Sequence, residues 1–149
     1  MDTSGKPILE IRDVSKIYKS KVGIFGGRGK DVVALDRISL HINKGEIFGL
    51  VGESGSGKTT AGRLIVCLEE TDSGGILLDG KPVTGLKGKR LKKFRRKAQM
   101  IFQDPYQSLN PQRSILDTVS EPLTIHKMGH ANGRKDRVRE ALKIGRAHV

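Results

Sequence analysis

A single cysteine, Cys67, is all the thiol chemistry that these 149 residues contain. An intramolecular disulfide framework is therefore excluded, and a cytosolic setting is the default. No run approaches the roughly 18 consecutive apolar residues of a membrane-spanning helix. The start, Met1-Asp2-Thr3-Ser4-Gly5-Lys6-Pro7, has no apolar core behind a basic head, so it does not read as a secretory signal. Tryptophan is absent and aromatic residues are 4% of the chain. Acids are also few: 16 Asp and Glu against 28 Lys and Arg leave a formal net charge of +12. Hydrophobic residues at 36% and charged residues at 30% suit a folded globular domain, and the length allows one of ordinary size. The basicity points to nucleic acid, an anionic membrane surface or a phosphate ligand, and composition does not choose among them.

The charge is concentrated. From Lys81 to Gln103 stand Lys81, Lys87, Lys89, Arg90, Lys92, Lys93, Arg95, Arg96 and Lys97, with no acid among them. Leu91, Phe94, Ala98 and Ile101 recur there at helical spacing, which predicts an amphipathic helix with a buried stripe and a basic outer face. Such a face is most simply solvated, with anionic lipid as an alternative. A nucleic-acid footprint would call for interleaved aromatics, and among the basic residues Lys81–Lys97 Phe94 is the sole one, on the apolar side.

Leu9 and Ile11, and later Ile38, Leu40 and Ile42, alternate with polar residues, the period of half-buried strands. Lys19–Asp31, rich in Lys and Gly, reads as an exposed loop. Asn43-Lys44-Gly45-Glu46 is turn chemistry. Ile47-Phe48-Gly49-Leu50-Val51 is nearly all apolar and predicts a strand buried on both faces. Ala61–Glu69 reads as a helix with Leu64, Ile65 and Leu68 on one face, ended by Asp72-Ser73-Gly74-Gly75 with Gly74 as the cap. Cys67 reads as a small buried apolar residue of that helix. Ile76-Leu77-Leu78 enters a hairpin turn at Asp79-Gly80. A short strand, Met100-Ile101-Phe102, then leads into the loop Gln103–Pro111. Two weaker helical patterns follow, Ser114–Glu121 and Arg134–Lys143, with Val138, Ala141 and Leu142 sharing a face of the second. His41, His126, His130 and His148 form no metal spacing with Cys67.

Gly52-Glu53-Ser54-Gly55-Ser56-Gly57-Lys58-Thr59 matches G-x-x-x-x-G-K-[ST] at every fixed position, followed by Thr60. The spacing has a chemical reason. A triphosphate needs many donors converging on closely spaced oxygens, and backbone N–H groups pack most densely. Gly55 and Gly57 lack Cβ and let the loop wrap. Lys58 reaches the β/γ oxygens as a point charge, the Thr59 hydroxyl is placed to ligate Mg²⁺, and the following helix directs its positive end at the same charges. An apolar run before the loop and a helix after it complete the context of a phosphate-binding loop.

Two further stretches narrow the class. Tyr18 precedes the loop at the end of the first strand, and Gln99-Met100-Ile101-Phe102-Gln103-Asp104-Pro105 continues into Tyr106-Gln107-Ser108-Leu109-Asn110-Pro111. Together with the phosphate loop, this resembles the nucleotide-binding subunit of ATP-binding cassette (ABC) transporters. More narrowly, it resembles the ATPases of the oligopeptide/dipeptide/nickel importers. The resemblance implies an α/β P-loop NTPase of the ABC type, with an N-terminal antiparallel β portion, an α/β core and the start of a helical subdomain. It implies ATP and Mg²⁺ as cofactors, with Tyr18 as the A-loop aromatic on the adenine, although a strand-end tyrosine packing on the sheet would look the same. Gly52, Glu53, Ser54, Gly55, Ser56, Gly57, Lys58, Thr59 and Thr60 would hold the nucleotide. Gln103 would be the Q-loop glutamine and, with Thr59, a Mg²⁺ ligand; Lys58 and Gln103 would serve catalysis. Lys19–Asp31 falls where such importers often carry extra residues.

The resemblance also implies permease subunits and a second ATPase subunit as partners, an extracytoplasmic solute-binding protein as an indirect one, and the cytoplasmic face of the membrane as the location. No nucleic acid is expected, although a soluble ABC-type ATPase acting on nucleic acid is the alternative that the basic stretch raises. An LSGGQ-type signature, an Asp–Glu strand end and a switch histidine do not occur in the sequence, and Asp104 belongs to the Gln103 loop. Residues 1–143 are thus expected to be a partial ATP-binding domain that binds nucleotide without turning it over. The last six residues, Ile144-Gly145-Arg146-Ala147-His148-Val149, match a peptide encoded by a common sequencing adapter and are expected to be a non-native tail.

Overall fold

The computed structural model describes residues 6–20, 30–104 and 109–144, without the side chains of 131, 132 and 144. The chain divides into two compact units, Met1–Met100 and Ile101–Val149. In the first unit, strand β1 (Leu9–Tyr18) pairs antiparallel with β2 (Val32–Ile42) on one side and with β3 (Ser73–Leu78) on the other. A two-residue strand β4 (Lys81–Pro82) closes the hairpin after Asp79-Gly80, so the sheet order is β2-β1-β3-β4. Helix α1 (Lys58–Ile65) and helix α2 (Gly88–Phe94) complete the unit.

The long strands do not alternate regularly, and the exception has a cause. Leu9, Ile11 and Val14 are all buried, although strict alternation would turn position 14 outward. A register shift between Ile11 and Val14 inserts a bulge, where Asp13 takes φ 47 and its N–H donates to Ser39 Oγ at 2.9 Å. Opposite it, Arg37 has φ 45 and donates its N–H to Ser15 Oγ at 3.0 Å. The bulge returns Val14 to the core face beside Leu35, Ala61, Leu64, Ile76, Val83 and Phe94.

Gly74 is set by the same bulge. At φ +76 it lies against the backbone of β1, and a Cβ there would meet the Asp13 carbonyl oxygen at 2.3 Å and that of Arg12 at 2.5 Å. It is therefore a residue of β3 and not the cap of the preceding helix. That helix also differs in extent from the expected Ala61–Glu69. It begins at Lys58, because the phosphate loop runs directly into its first turn, and ends at Ile65, because Cys67 takes φ 53. Leu68 consequently lies outside the helical face and is half-exposed, while Ala61 and Leu64 carry the packing. Cys67 is only partly buried. Its thiol donates to the Val83 carbonyl at 3.4 Å, and desolvation raises its pKa against the opposing charge of Arg95.

Two other expectations are corrected. Ile47–Val51 forms no ladder, and Ile47 and Val51 are 99% and 93% exposed. A strand apolar on both faces takes its cover from neighbours, and the described residues place no strand beside this one. Met100–Phe102 is likewise unpaired, with Ile101 93% exposed, so Ile101 does not extend the apolar stripe of the basic helix. That stripe is Leu91, Phe94 and Ala98, packed on the core, and α2 is short because its turns end where Arg95 caps it. Of the loop expected at Lys19–Asp31, residues 21–29 lie outside the described residues; its ends meet where Ser20 N–H donates to Asp31 Oδ1 at 3.1 Å.

The second unit contains a helical hairpin, α3 (Ile115–Ile125) and α4 (Ala131–Ile144). Ser114 caps α3 by accepting from Asp117 N–H at 3.1 Å, as a Ser three residues before an acid should. Arg134 joins the two helices, donating to Thr124 Oγ1 at 2.8 Å and to the Gly129 carbonyl at 3.1 Å. Only Val138 of the expected apolar face is buried; Ala141 and Leu142 are exposed. The tail expected from Ile144 lies outside the described residues beyond the helical backbone of Ile144 itself.

Two outcomes follow for stability. Gly74→Ala should cost more than about 2 kcal/mol in urea unfolding, since it combines a left-handed φ with a backbone clash. Asp72 accepts the Ile17 N–H at 2.6 Å and lies 3.6 Å from the Lys16 ammonium, and chiefly the first of these holds its pKa below the ordinary value. A depressed carboxylate contributes stability above its unfolded pKa of about 3.9 and loses it as pH falls through the folded value. The melting temperature of Asp72→Asn should therefore fall less steeply than that of the parent on acidification below about pH 4.

Candidate nucleotide-binding site

The phosphate loop leaves the exposed segment Ile47–Val51 and closes on itself before α1. Ser56 N–H donates to the Glu53 carbonyl at 3.2 Å, making the tight turn, and Gly55 takes φ 83 with open space where a Cβ would stand. Gly57 is the N-cap of α1 at φ 86, ψ 0, and no side chain caps the helix there. A Cβ on Gly57 would lie 2.4 Å from the Ala34 carbonyl oxygen and 2.7 Å from the Leu35 side chain. The loop is thus seated on β2, and glycine is the residue that permits it.

The first-turn N–H groups of α1 have no partner within the helix and carry its positive end. No acid occupies that first turn, so nothing competes with an anion for them. Lys58 is half-buried, and its ammonium donates to the carbonyls of Gly52 at 2.7 Å and Glu53 at 2.6 Å and to Ser56 Oγ at 3.2 Å. These contacts hold the charge in the concavity of the loop. Gly52, Glu53, Ser54, Gly55, Ser56 and Thr59 are exposed, and Gly57 and Thr60 are half-buried. An oxyanion can reach this surface from solvent.

Thr59 presents one exposed hydroxyl, and the described residues hold no group of three or more His, Cys, Asp or Glu able to hold a metal. That donor set fits Mg²⁺ arriving with a triphosphate, which keeps phosphate and water ligands and takes few from protein. It does not fit a dedicated protein cage.

Tyr18 ends β1 opposite Val32 and is 39% exposed. Its hydroxyl donates to the Glu69 carboxylate, and the Lys16 ammonium stands 5.6 Å from the ring centroid. The sheet therefore presents the ring with a surface left open to solvent. Glu69, and Asp72 which faces Lys16, carried no spacing signal, because they lie more than 50 residues from their partners in β1 and meet them only through the fold that pairs β1 with β3. Gln103 and Asp104 belong to the second unit and are exposed, while Pro105, Tyr106, Gln107 and Ser108 lie outside the described residues. A cleft of about 240 Å³ beside Cys67, Val83 and Arg95 includes no residue of the phosphate loop.

Among the described residues, no helix is long and apolar enough to cross a membrane. The ABC transporter family model matches residues 35–148. The oligopeptide transport ATP-binding protein OppF of Streptococcus mutans is 42% identical over 145 residues, covering 97% of this chain and 45% of that protein. OppF of Bacillus subtilis is 50% identical over 138 residues, with 91% and 43% covered. The chain thus spans less than half the length of these relatives. A dimeric ATP-binding cassette solved in a post-hydrolysis state with ADP and Pi matches with a TM-score of 0.72 and 29% identity, covering 91% of this chain and 56% of that one. The fold of this chain is thus that of part of an ATP-binding cassette, and the chain belongs to the ABC transporter family.

Proposed function

We propose that this chain is the nucleotide-binding part of an ATPase that energises import of peptides or similar small solutes. The observation that carries the reading is the phosphate loop, in which Gly57 seats the turn on β2, Lys58 is held inside it and α1 starts at its edge. The likeness to oligopeptide transport ATP-binding proteins supports the transport class.

Each residue has a role within this reading. The N–H groups of Ser54 to Thr60 receive the phosphate oxygens, and Lys58 turns from the Gly52 and Glu53 carbonyls toward the β/γ bridge. The Thr59 hydroxyl joins the Mg²⁺ shell, and the metal supplies charge neutralisation at the phosphates when it is bound. Tyr18 stacks on the adenine, and Gln103 would be a Mg²⁺ ligand whose loop senses the membrane subunits. ATP draws two cassettes together and hydrolysis releases them, because contacts to the γ-phosphate favour the closed state. The partners are permease subunits, a second ATPase subunit and, indirectly, an extracytoplasmic solute-binding protein, with the ATPase peripheral on the cytoplasmic face. The nucleic-acid alternative gains nothing from the fold. Phe94, the one aromatic between Lys81 and Lys97, is 5% exposed and offers no stacking surface.

Calorimetric titration of the whole chain with Mg·ATP should show binding, and Lys58→Ala should weaken it by roughly 10- to 100-fold, the value of a hydrogen bond between charged groups. Affinity unchanged by Lys58→Ala would refute the assignment. In an assembled transporter carrying this sequence, the same substitution should abolish ATPase activity.

A further inference from the structure

The tyrosine at the end of β1 is held by groups that the nucleotide-binding reading does not use. Its hydroxyl donates to the carboxylate of Glu69, three residues past the end of the helix-capping position Val66. Glu69 is itself partly buried, with 24% of its side chain exposed, and Arg63 in the last turn of α1 pairs with its other oxygen at 3.4 Å. On the ring, the ammonium of Lys16 sits at cation–π distance. Lys16 is fixed in turn, with its side chain 15% exposed, donating to the Glu70 carbonyl at 2.8 Å and facing Asp72 at 3.6 Å. The segment Glu69–Asp72 thus sets both the in-plane direction of the ring, through its hydroxyl, and the side on which the cation stands.

We propose that Glu69 is a positioning residue for base recognition, which locks Tyr18 through its hydroxyl so that the open ring surface is pre-set for a purine. The proposal rests on the assignment of Tyr18 to the adenine. A free tyrosine side chain loses rotational freedom when it stacks, and a ring already held by its hydroxyl loses less. The lock also runs through α1, since Arg63 and Lys58 belong to the same helix. Base platform and phosphate loop are therefore tied to one rigid element, which fixes the span between them. Glu69 does not touch the nucleotide in this account; it acts through Tyr18.

The test compares Mg·ATP with tripolyphosphate, which has the phosphates and no base, by calorimetric titration of the full 149-residue chain. Tyr18→Phe keeps the ring and removes the donor, and Glu69→Ala removes the acceptor. Each should weaken ATP by about 3- to 10-fold and leave tripolyphosphate unchanged. The double variant should lose no more than either single one, because the two act as one contact. Glu69→Gln keeps an oxygen acceptor and should recover most of the affinity. Equal loss for ATP and tripolyphosphate, additive losses, or no loss in Tyr18→Phe would overturn the proposal. Tyr18→Ala separates the underlying assignment: if it leaves the ratio of ATP to tripolyphosphate affinity unchanged, Tyr18 is not the adenine platform at all. If it lowers that ratio while Glu69→Ala does not, only the role of Glu69 fails.

Discussion

The approach of Gly57 to the Ala34 carbonyl is the contact through which the phosphate loop acquires its place. With 2.4 Å between that oxygen and the position of a Cβ, any other residue would push the loop off β2 and α1 with it. The consequences extend both ways along the chain. Toward the C-terminus, α1 keeps the orientation that lets Ala61 and Leu64 fill the core. Toward the N-terminus, β2 is paired to β1, whose last residue is Tyr18. A single backbone approach thus couples the glycine-rich loop to the sheet whose first strand ends at Tyr18. Gly74 against the β1 bulge is the second such contact, and it keeps β3 in register with Ile11 and Val14 on the core side.

Charge at the site is arranged locally and does not depend on the protein's overall basicity. The ammonium of Lys58 has three oxygen partners inside the loop, so its charge is kept at the loop, and it would exchange these partners for phosphate oxygens on turning toward a ligand. The preorganised donors are the backbone N–H groups, whose direction the fold of the loop fixes beforehand. The basic residues of α2 lie elsewhere on the first unit, around a stripe of Leu91, Phe94 and Ala98 that serves the core. Their charge adds a general attraction for anions that salt screens. The phosphate loop supplies geometry, which salt does not remove.

Much of this was legible in the residues before the fold was known. Leu9, Ile11, Ile38, Leu40 and Ile42 alternate as strands, and the glycine spacing from Gly52 to Gly57 marked the phosphate loop because its backbone geometry admits few other sequences. What misled was context that a linear pattern does not carry. Ile47–Val51 has the composition of a strand covered on both faces, yet strand status depends on neighbours, and none of the described strands lies beside it. Gly74 was legible as a glycine in an unusual conformation, but its partner, the bulge at Asp13, lies 61 positions earlier, as 74 minus 13 gives. Helix α1 ended early because Cys67 adopts a left-handed conformation that no propensity at a cysteine predicts. The contact of Tyr18 with Glu69 was invisible for a related reason: 51 residues separate them, and only the fold brings those side chains together.

The central claim is that the backbone of residues 54–60, seated by Gly57, is the phosphate receptor. Amide resonances followed by NMR while tripolyphosphate and Mg²⁺ are added would test it most directly. The account predicts that the N–H signals of Ser54, Gly55, Ser56, Gly57, Lys58, Thr59 and Thr60 shift together along one saturating curve, at moderate salt, ahead of any change in Lys87–Lys97. Shifts confined to the basic stretch, or spread over the surface without saturation, would contradict it.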